Sequence, residues 1–237
     1  MSLNKQAYEV LHENLTACRP EFANRCVILC PICLREIHRI AVVDRGVEHI
    51  IPKNVVKRDS PLYVSLGTRN QRCGITVLCR EQRVCKSNGR VYKDGCNGMK
   101  GQLYDRLFKN LFDTNVHARS DLTHSHGVAI LIMAYLGAFQ SFGYEYILRP
   151  ELDSIRDQFD FPNDRKTEWL DFAHYCLVED STPVIATSVG QPFVFGNLLT
   201  PNAPLEVMFR RCRALLPSGH RSVSKVTSQL EVLLPIA

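Results

Sequence analysis

Two cysteines separated by two residues, Cys30-Pro31-Ile32-Cys33, are the first feature of this chain whose spacing can do chemistry. Such a knuckle lets two thiolates reach one tetrahedral metal ion, and a second pair is needed to complete the set. Cys79 and Cys96 can supply it, closing four thiolates around a structural zinc. Cys85 competes with Cys96 for the fourth place, and Cys26 and Cys73 are further candidates. Between the pairs stands Val47-Glu48-His49-Ile50-Ile51-Pro52-Lys53. A carboxylate beside an imidazole allows one group to hold a metal while the other takes a proton, since imidazole titrates near pH ~6.5. After Cys96 comes Asn97-Gly98-Met99-Lys100-Gly101, the opening of a predicted helix. Asn97 and Lys100 stand at i and i+3 there and share one face.

Taken together these segments resemble the HNH endonuclease family, whose ββα-metal core is often clamped by two cysteine pairs. The family pattern runs from a CxxC to an acidic residue or His followed by His-Ile-x-Pro, then to Leu-Cys and to Cys-Asn-x-x-Lys-Gly. Here it is met in order by Cys30 and Cys33, by Glu48 to Pro52, by Leu78-Cys79 and by Cys96 to Gly101, within the span Cys26 to Leu103. The resemblance implies that His49 is a general base, and that Glu48 and Asn97 hold one divalent cation, Mg²⁺ or Mn²⁺. It also implies that Lys100 meets a phosphate, and that the substrate is nucleic acid, DNA foremost. Hard oxygen donors suit Mg²⁺, and such an ion can stabilise a departing oxyanion. Two departures stand out. Sixteen residues separate Cys79 from Cys96, where family members commonly place two. The family's middle Asn falls on Gly74, with Asn70 close but out of register. The rival reading is a zinc-clamped nucleic-acid-binding or adaptor module without catalysis. Small HNH proteins also occur in restriction and defence settings, where an effector nuclease works inside a larger assembly.

Composition agrees with a polyanionic partner. Residues 1–110 hold 19 Lys+Arg against 10 Asp+Glu, and residues 111–237 hold 10 against 14, within a net charge of +5. Each phosphate neutralised by a basic surface releases counterions and adds affinity, although a merely solvated basic surface has the same composition. Eight of the ten cysteines lie between Cys18 and Cys96, which favours metal binding over a disulfide framework. Cys176 and Cys212 stand apart and read as buried small hydrophobes. Met1 to Ala17 is polar and amphipathic, unlike a secretory signal. The longest apolar run, Val128 to Phe139, falls short of the roughly 20 residues that a membrane span requires. A cytoplasmic protein with no membrane partner is expected.

An α+β fold must position these groups. Helical spacing predicts a short amphipathic helix over Asn4 to Leu15, with Ala7, Val10, Leu11 and Leu15 on one face, and another from Asn97 to about Phe112. Cys26 to Cys30 and Ile75 to Cys79 read as short strands, and Asn88-Gly89 as a tight hairpin turn inside the insert. That hairpin would bring Arg83, Lys86, Arg90 and Lys93 near the site. Gly127 to Phe142 reads as a core helix and Glu151 to Phe159 as a second. Before the core helix, His124 and His126 are spaced too closely for helical metal ligation, and Ser125 is the expected cap. His117 and Arg119 are within reach of the site in sequence only. The last 55 residues hold strand-like runs at 183–187, 193–195, 205–209 and 230–234. The expected organisation is a zinc-clamped ββα-metal core in residues 1–115 and a mixed helix and strand region in residues 116–237, although the halves can share one core. The second region would supply target binding, a homo-oligomer contact or an effector-complex surface.

Overall fold

Leu3–Cys18 forms α1 because its apolar residues recur at helical spacing and Ser2 caps its first turn, accepting the Lys5 N–H at 3.4 Å. Ala7, Tyr8, Leu11 and Leu15 are buried. This helix opens a computed structural model that describes residues 2–59, 68–113, 123–164, 175–177, 192–196, 203–210 and 212–217. The fold is mixed α+β, with small sheets and a four-cysteine cluster in the N-terminal half.

Strands β1 (Val27–Leu29) and β2 (Glu36–His38) pair antiparallel, with Ile28 opposite Ile37. The knuckle is the loop between them. It is closed by the Cys30 N–H to the Arg35 carbonyl and the Leu34 N–H to the Cys30 carbonyl, both at 2.9 Å. Helix α2 (Arg39–Arg45) leads into β3 (Glu48–His49), then comes α3 (Lys53–Val56), and further on α4 (Arg69–Cys73) runs into β4 (Ile75–Thr76). Strand β3 pairs antiparallel with β4, Glu48 opposite Thr76 and His49 opposite Ile75. The pairing continues through Ile50 N–H to Gly74 O and Ile51 N–H to Cys73 O.

The insert is the expected hairpin, β5 (Arg83–Val84) and β6 (Val91–Tyr92), turned at Asn88-Gly89 with Gly89 at φ 66°. Helix α5 (Gly95–Met99) follows, continues as a π-helical turn over Lys100–Asp105, and ends as α6 (Arg106–Asp113). Phe108 and Leu111 are fully buried there, with Leu103 and Leu107 packed beside the core.

Helix α7 (His124–Ile147) begins three residues before the expected core helix and breaks at Gly143, φ 64°, directly after the expected end at Phe142. Its length and composition would allow it to cross a membrane, but 94% of its most apolar window is buried inside the protein. It is the core helix. Thr123, rather than Ser125, caps it: the Thr123 side chain accepts from His126 N, and the His126 ring reaches back to the Thr123 N–H. Ser125 instead hydrogen-bonds Asn163 Oδ1 at 3.2 Å. The short helix α8 (Asp153–Gln158) follows.

Strands β7 (Tyr175–Leu177), β8 (Val194–Gly196), β9 (Leu205–Phe209) and β10 (Cys212–Leu216) form an antiparallel sheet in the order β7-β10-β9-β8. Cys212 is fully buried in it. The strand-like runs at 183–187 and 230–234 lie outside the described residues.

One hydrophobic cluster joins Leu11, Ile28 and Phe108 to Tyr135, Phe139 and Phe209, so chain from both sides of residue 115 packs into a common core. Two tyrosines of α7 also fasten the knuckle. The Tyr135 hydroxyl donates to the Pro31 carbonyl at 2.5 Å, and the Tyr144 hydroxyl both accepts from the Leu29 N–H at 3.0 Å and donates to the Leu29 carbonyl.

A four-cysteine clamp beside a basic cleft

The Sγ atoms of Cys30, Cys33, Cys79 and Cys96 all lie within 4.8 Å of one another, close enough to hold a metal ion. Zinc–sulfur bonds of about 2.3 Å place tetrahedral sulfurs about 3.8 Å apart, so the four thiols suit that ion in spacing and softness. Within this tightly coupled cluster, hydrogen bonds from Cys30, Cys33 and Cys96 lower the pKa of the Cys79 thiol, while burial raises that of Cys30. The structure decides the fourth place. Cys85 points away and donates to the Asp160 carbonyl at 3.3 Å, Cys26 is exposed, and Cys73 is buried at the end of α4.

Gly95 lets the clamp close. Its φ is 55°, and a Cβ there would come within 2.4 Å of the Glu81 carbonyl oxygen and 2.7 Å of that of Cys79. Only glycine allows the start of α5 to lie so close to the chain leaving the Cys79 turn. The Asn97 N–H then bonds the Cys79 carbonyl at 3.3 Å. Closing the clamp therefore brings Asn97 of α5 to the same cleft as Glu48 and His49 of β3.

Glu48, His49, Asn97 and Lys100 line one open cleft of about 540 Å³, together with Pro52, Lys53, Asn54, Gly101, Asp105, Arg106 and Lys109. His49 Nε2 lies 2.9 Å from Asn70 Oδ1. An amide oxygen accepts, so this hydrogen bond places the proton on Nε2 and leaves the Nδ1 lone pair available as a base. The amide beside His49 thus comes from Asn70 in α4, one helical turn before Gly74, the position that the sequence resemblance marks. A larger residue at Gly74 would be strained: its φ is 67°, and a Cβ would press on Gln140 Oε1 at 2.5 Å and the Phe193 ring at 3.0 Å.

Charges inside the cleft are closely coupled. Burial lowers the His49 pKa below the ordinary 6.5, with the Asn70 hydrogen bond opposing and Lys53 and Lys100 adding to the effect. Burial also raises the Glu48 carboxyl, against the opposing charges of Arg80 and Lys100. Arg80 is ion-paired with Glu48 and lies 3.6 Å from Asp94, whose other oxygen accepts the Asn97 Nδ2–H at 2.6 Å. The Lys100 ammonium, with the residue 2% exposed, is directed 2.5 Å to Asp105 Oδ1. Residues five apart meet in this way because the Lys100–Asp105 turn is π-helical. Lys100 thus lines the cleft, as its helix face predicts, but its charge is held by Asp105. Lys53 and Arg106 are exposed cations of the rim.

Three of the four basic residues of the inserted hairpin are engaged elsewhere, and Lys93 is exposed. Arg83 donates to Asp160 Oδ2 at 2.8 Å and to Cys96 Sγ at 3.0 Å, Lys86 pairs with Asp157 at 3.0 Å, and Arg90 bonds Gln102 at 2.7 Å. They tie the hairpin to α8, the clamp and the helix after it. His117 and Arg119 lie outside the described residues. Sequence reasoning missed Asp105, Arg80, Asp94 and Asp160; of these Asp94, three residues before Asn97, stands at a spacing that could have marked it. Comparison of the chain with protein-family models, with characterised proteins and with solved structures gives no match.

Proposed function

We propose that this chain is a metal-dependent endonuclease that hydrolyses nucleic-acid phosphodiester bonds, DNA foremost, with His49 as general base. The observation that carries the reading is the placement of His49. Its Nε2 is held by Asn70, and it shares a cleft with the oxygen donors Glu48 and Asn97. A carboxylate and an amide oxygen are hard donors that suit Mg²⁺ or Mn²⁺ and do not suit a thiophilic ion. A divalent cation held by them would polarise the phosphate and stabilise the departing oxyanion.

The remaining roles belong to the chain itself. His49 takes the proton of the attacking water at Nδ1, because Asn70 fixes its other nitrogen. Partial burial keeps the imidazole neutral, and so ready to accept that proton, at pH 7. Lys53 and Arg106 on the rim draw in the phosphate backbone. The four cysteines would hold zinc as a closed structural site, with Arg83 donating to Cys96. A non-catalytic adaptor would have no use for a base oriented beside two oxygen donors.

The test compares wild type with His49→Ala on plasmid DNA with Mg²⁺ and with Mn²⁺. Cleavage by wild type, lost in His49→Ala with zinc content and DNA affinity retained, is the expected outcome. Zinc-loaded wild type that binds DNA but cuts no duplex, single strand or RNA with either ion would point to the adaptor.

A further inference from the structure

We propose that Arg80 and Asp94 form a positioning pair that fixes Glu48 and Asn97 as donors to one divalent cation and links them to the cysteine clamp. The inference rests on the nuclease reading, and it assigns residues which that reading does not use.

Four side chains form a continuous relay. Glu48 pairs with Arg80, Arg80 reaches Asp94 at 3.6 Å, and Asp94 accepts from Asn97 at 2.6 Å. Each end of this relay is a cleft residue, and neither middle member lines the cleft. Arg80 lines a separate cavity of about 140 Å³ with Ile37, Val42, Gly46 and Cys79. It therefore grips Glu48 without occupying the space next to His49. The amide of Asn97 is set in the same way. With Nδ2 bound to Asp94, its carbonyl oxygen is the end turned away from that carboxylate and left for a cation.

The positions of the pair in the chain matter as much as its hydrogen bonds. Arg80 directly follows Cys79, and Asp94 stands two residues before Cys96. The two cysteines that complete the clamp thus each carry one member of the pair. Filling the clamp draws Arg80 and Asp94 to a fixed separation, and this separation sets both oxygen donors. Arginine suits the task because its planar fork can serve two carboxylates at once, whereas a lysine presents a single point charge. Groups that orient metal ligands in this way typically change metal affinity by about 10- to 100-fold when removed.

The experiment measures Mn²⁺ binding directly, by the electron paramagnetic resonance of free Mn²⁺, on zinc-loaded protein without substrate. Arg80→Gln and Asp94→Asn should each weaken the Mn²⁺ Kd by about 10- to 100-fold, with zinc content and Tm unchanged. Arg80→Lys should recover part of the loss. The double variant should be no weaker than the worse single one, because the two residues act as one unit. Asp94 is 47% exposed, so Asp94→Asn reads the same link where Arg80→Gln fails to fold. An unchanged Kd in Asp94→Asn and Arg80→Gln overturns the inference and leaves the nuclease reading standing. A tighter Kd in Arg80→Gln also overturns it, since Arg80 would then compete with the cation. Wild type with no saturable Mn²⁺ site removes the nuclease reading itself, and the inference with it.

Discussion

Asn70 and His49 meet at 2.9 Å although they lie on different elements, the first turn of α4 and the two-residue strand β3. Thr68 caps α4 through a reciprocal pair with Gln71, and the strand is held by backbone bonds to Gly74 and Cys73. Both partners are thus fixed by their own backbones, and the imidazole inherits one orientation.

Asn70→Ala should therefore slow cleavage without unfolding the protein. Misplacing a reacting group by about 1 Å can cost about 10²-fold in rate, and a loss of that order in kcat is expected with little change in DNA affinity. Asn70→Asp retains an acceptor and should keep more activity than the alanine variant. Single-turnover plasmid cleavage separates the two, and equal rates for wild type and Asn70→Ala would rule out the orienting role.

Metal removal tests the clamp. Structural zinc contributes about 10 kcal/mol or more of apparent binding energy, so a strong chelator should unfold the N-terminal elements, as read by circular dichroism. Cys30→Ser and Cys96→Ser should lose the metal and fail to fold, while Cys85→Ala keeps it, because Cys85 bonds Asp160 and stands outside the cluster. Elemental analysis of purified Cys85→Ala decides between Cys85 and Cys96. Metal-free Cys85→Ala would contradict this assignment.

Nucleic-acid binding should follow the cleft rim. Reversing Lys53 and Arg106 to Glu should weaken duplex binding and reduce the salt slope by about 0.9 for each phosphate that is no longer neutralised. Reversing Arg90 of the hairpin, which bonds Gln102 of the π-helical turn, should change affinity little. Fluorescence titrations at several salt concentrations give both quantities, and an effect confined to the hairpin variant would move the binding surface there.

Tyr144→Phe removes the hydroxyl that both donates to and accepts from the Leu29 backbone. A buried N–H and carbonyl are left without that partner, which costs about 1–3 kcal/mol. Urea denaturation of the two proteins measures the difference, and equal midpoints would show that water replaces the hydroxyl.

Cys73 gives stability a dependence on alkaline pH. Burial raises its thiol from 9.0 to about 11, with Arg210 and Arg72 opposing. Because the folded pKa is raised, this stability is complete below pH 9 and is lost as pH rises through about 11. Over that window wild type should lose about 2–3 kcal/mol more than Cys73→Val, measured by denaturation at several pH values. Parallel curves for the two proteins would show that the thiol does not titrate in this window.

The parts of this molecule legible in its sequence are those set by local spacing. The periodicity of α1, the Asn88-Gly89 turn, the knuckle and the helix carrying Asn97 and Lys100 each depend on residues a few positions apart. Pairings with distant chain are not legible in this way. Asn70 stands in no register with His49, because a helix and a left-handed glycine intervene before the paired strand. Arg83 looks like a nucleic-acid ligand until α8 brings Asp160 to it, 77 residues later in the chain. Lys100 looks available until a π-turn places Asp105 beside it.

The tyrosines that join α7 to the knuckle bear on modularity. Pro31 and Leu29, at the base of the clamp, are held by residues more than 100 positions away. A chain cut after Asp113 would keep every cleft residue, yet it would uncover Leu15, Ile28, Phe108 and Leu111 together. The chemistry proposed for the cleft therefore cannot be transplanted as a small cassette. Chain beyond residue 115 is part of the scaffold on which the first half stands.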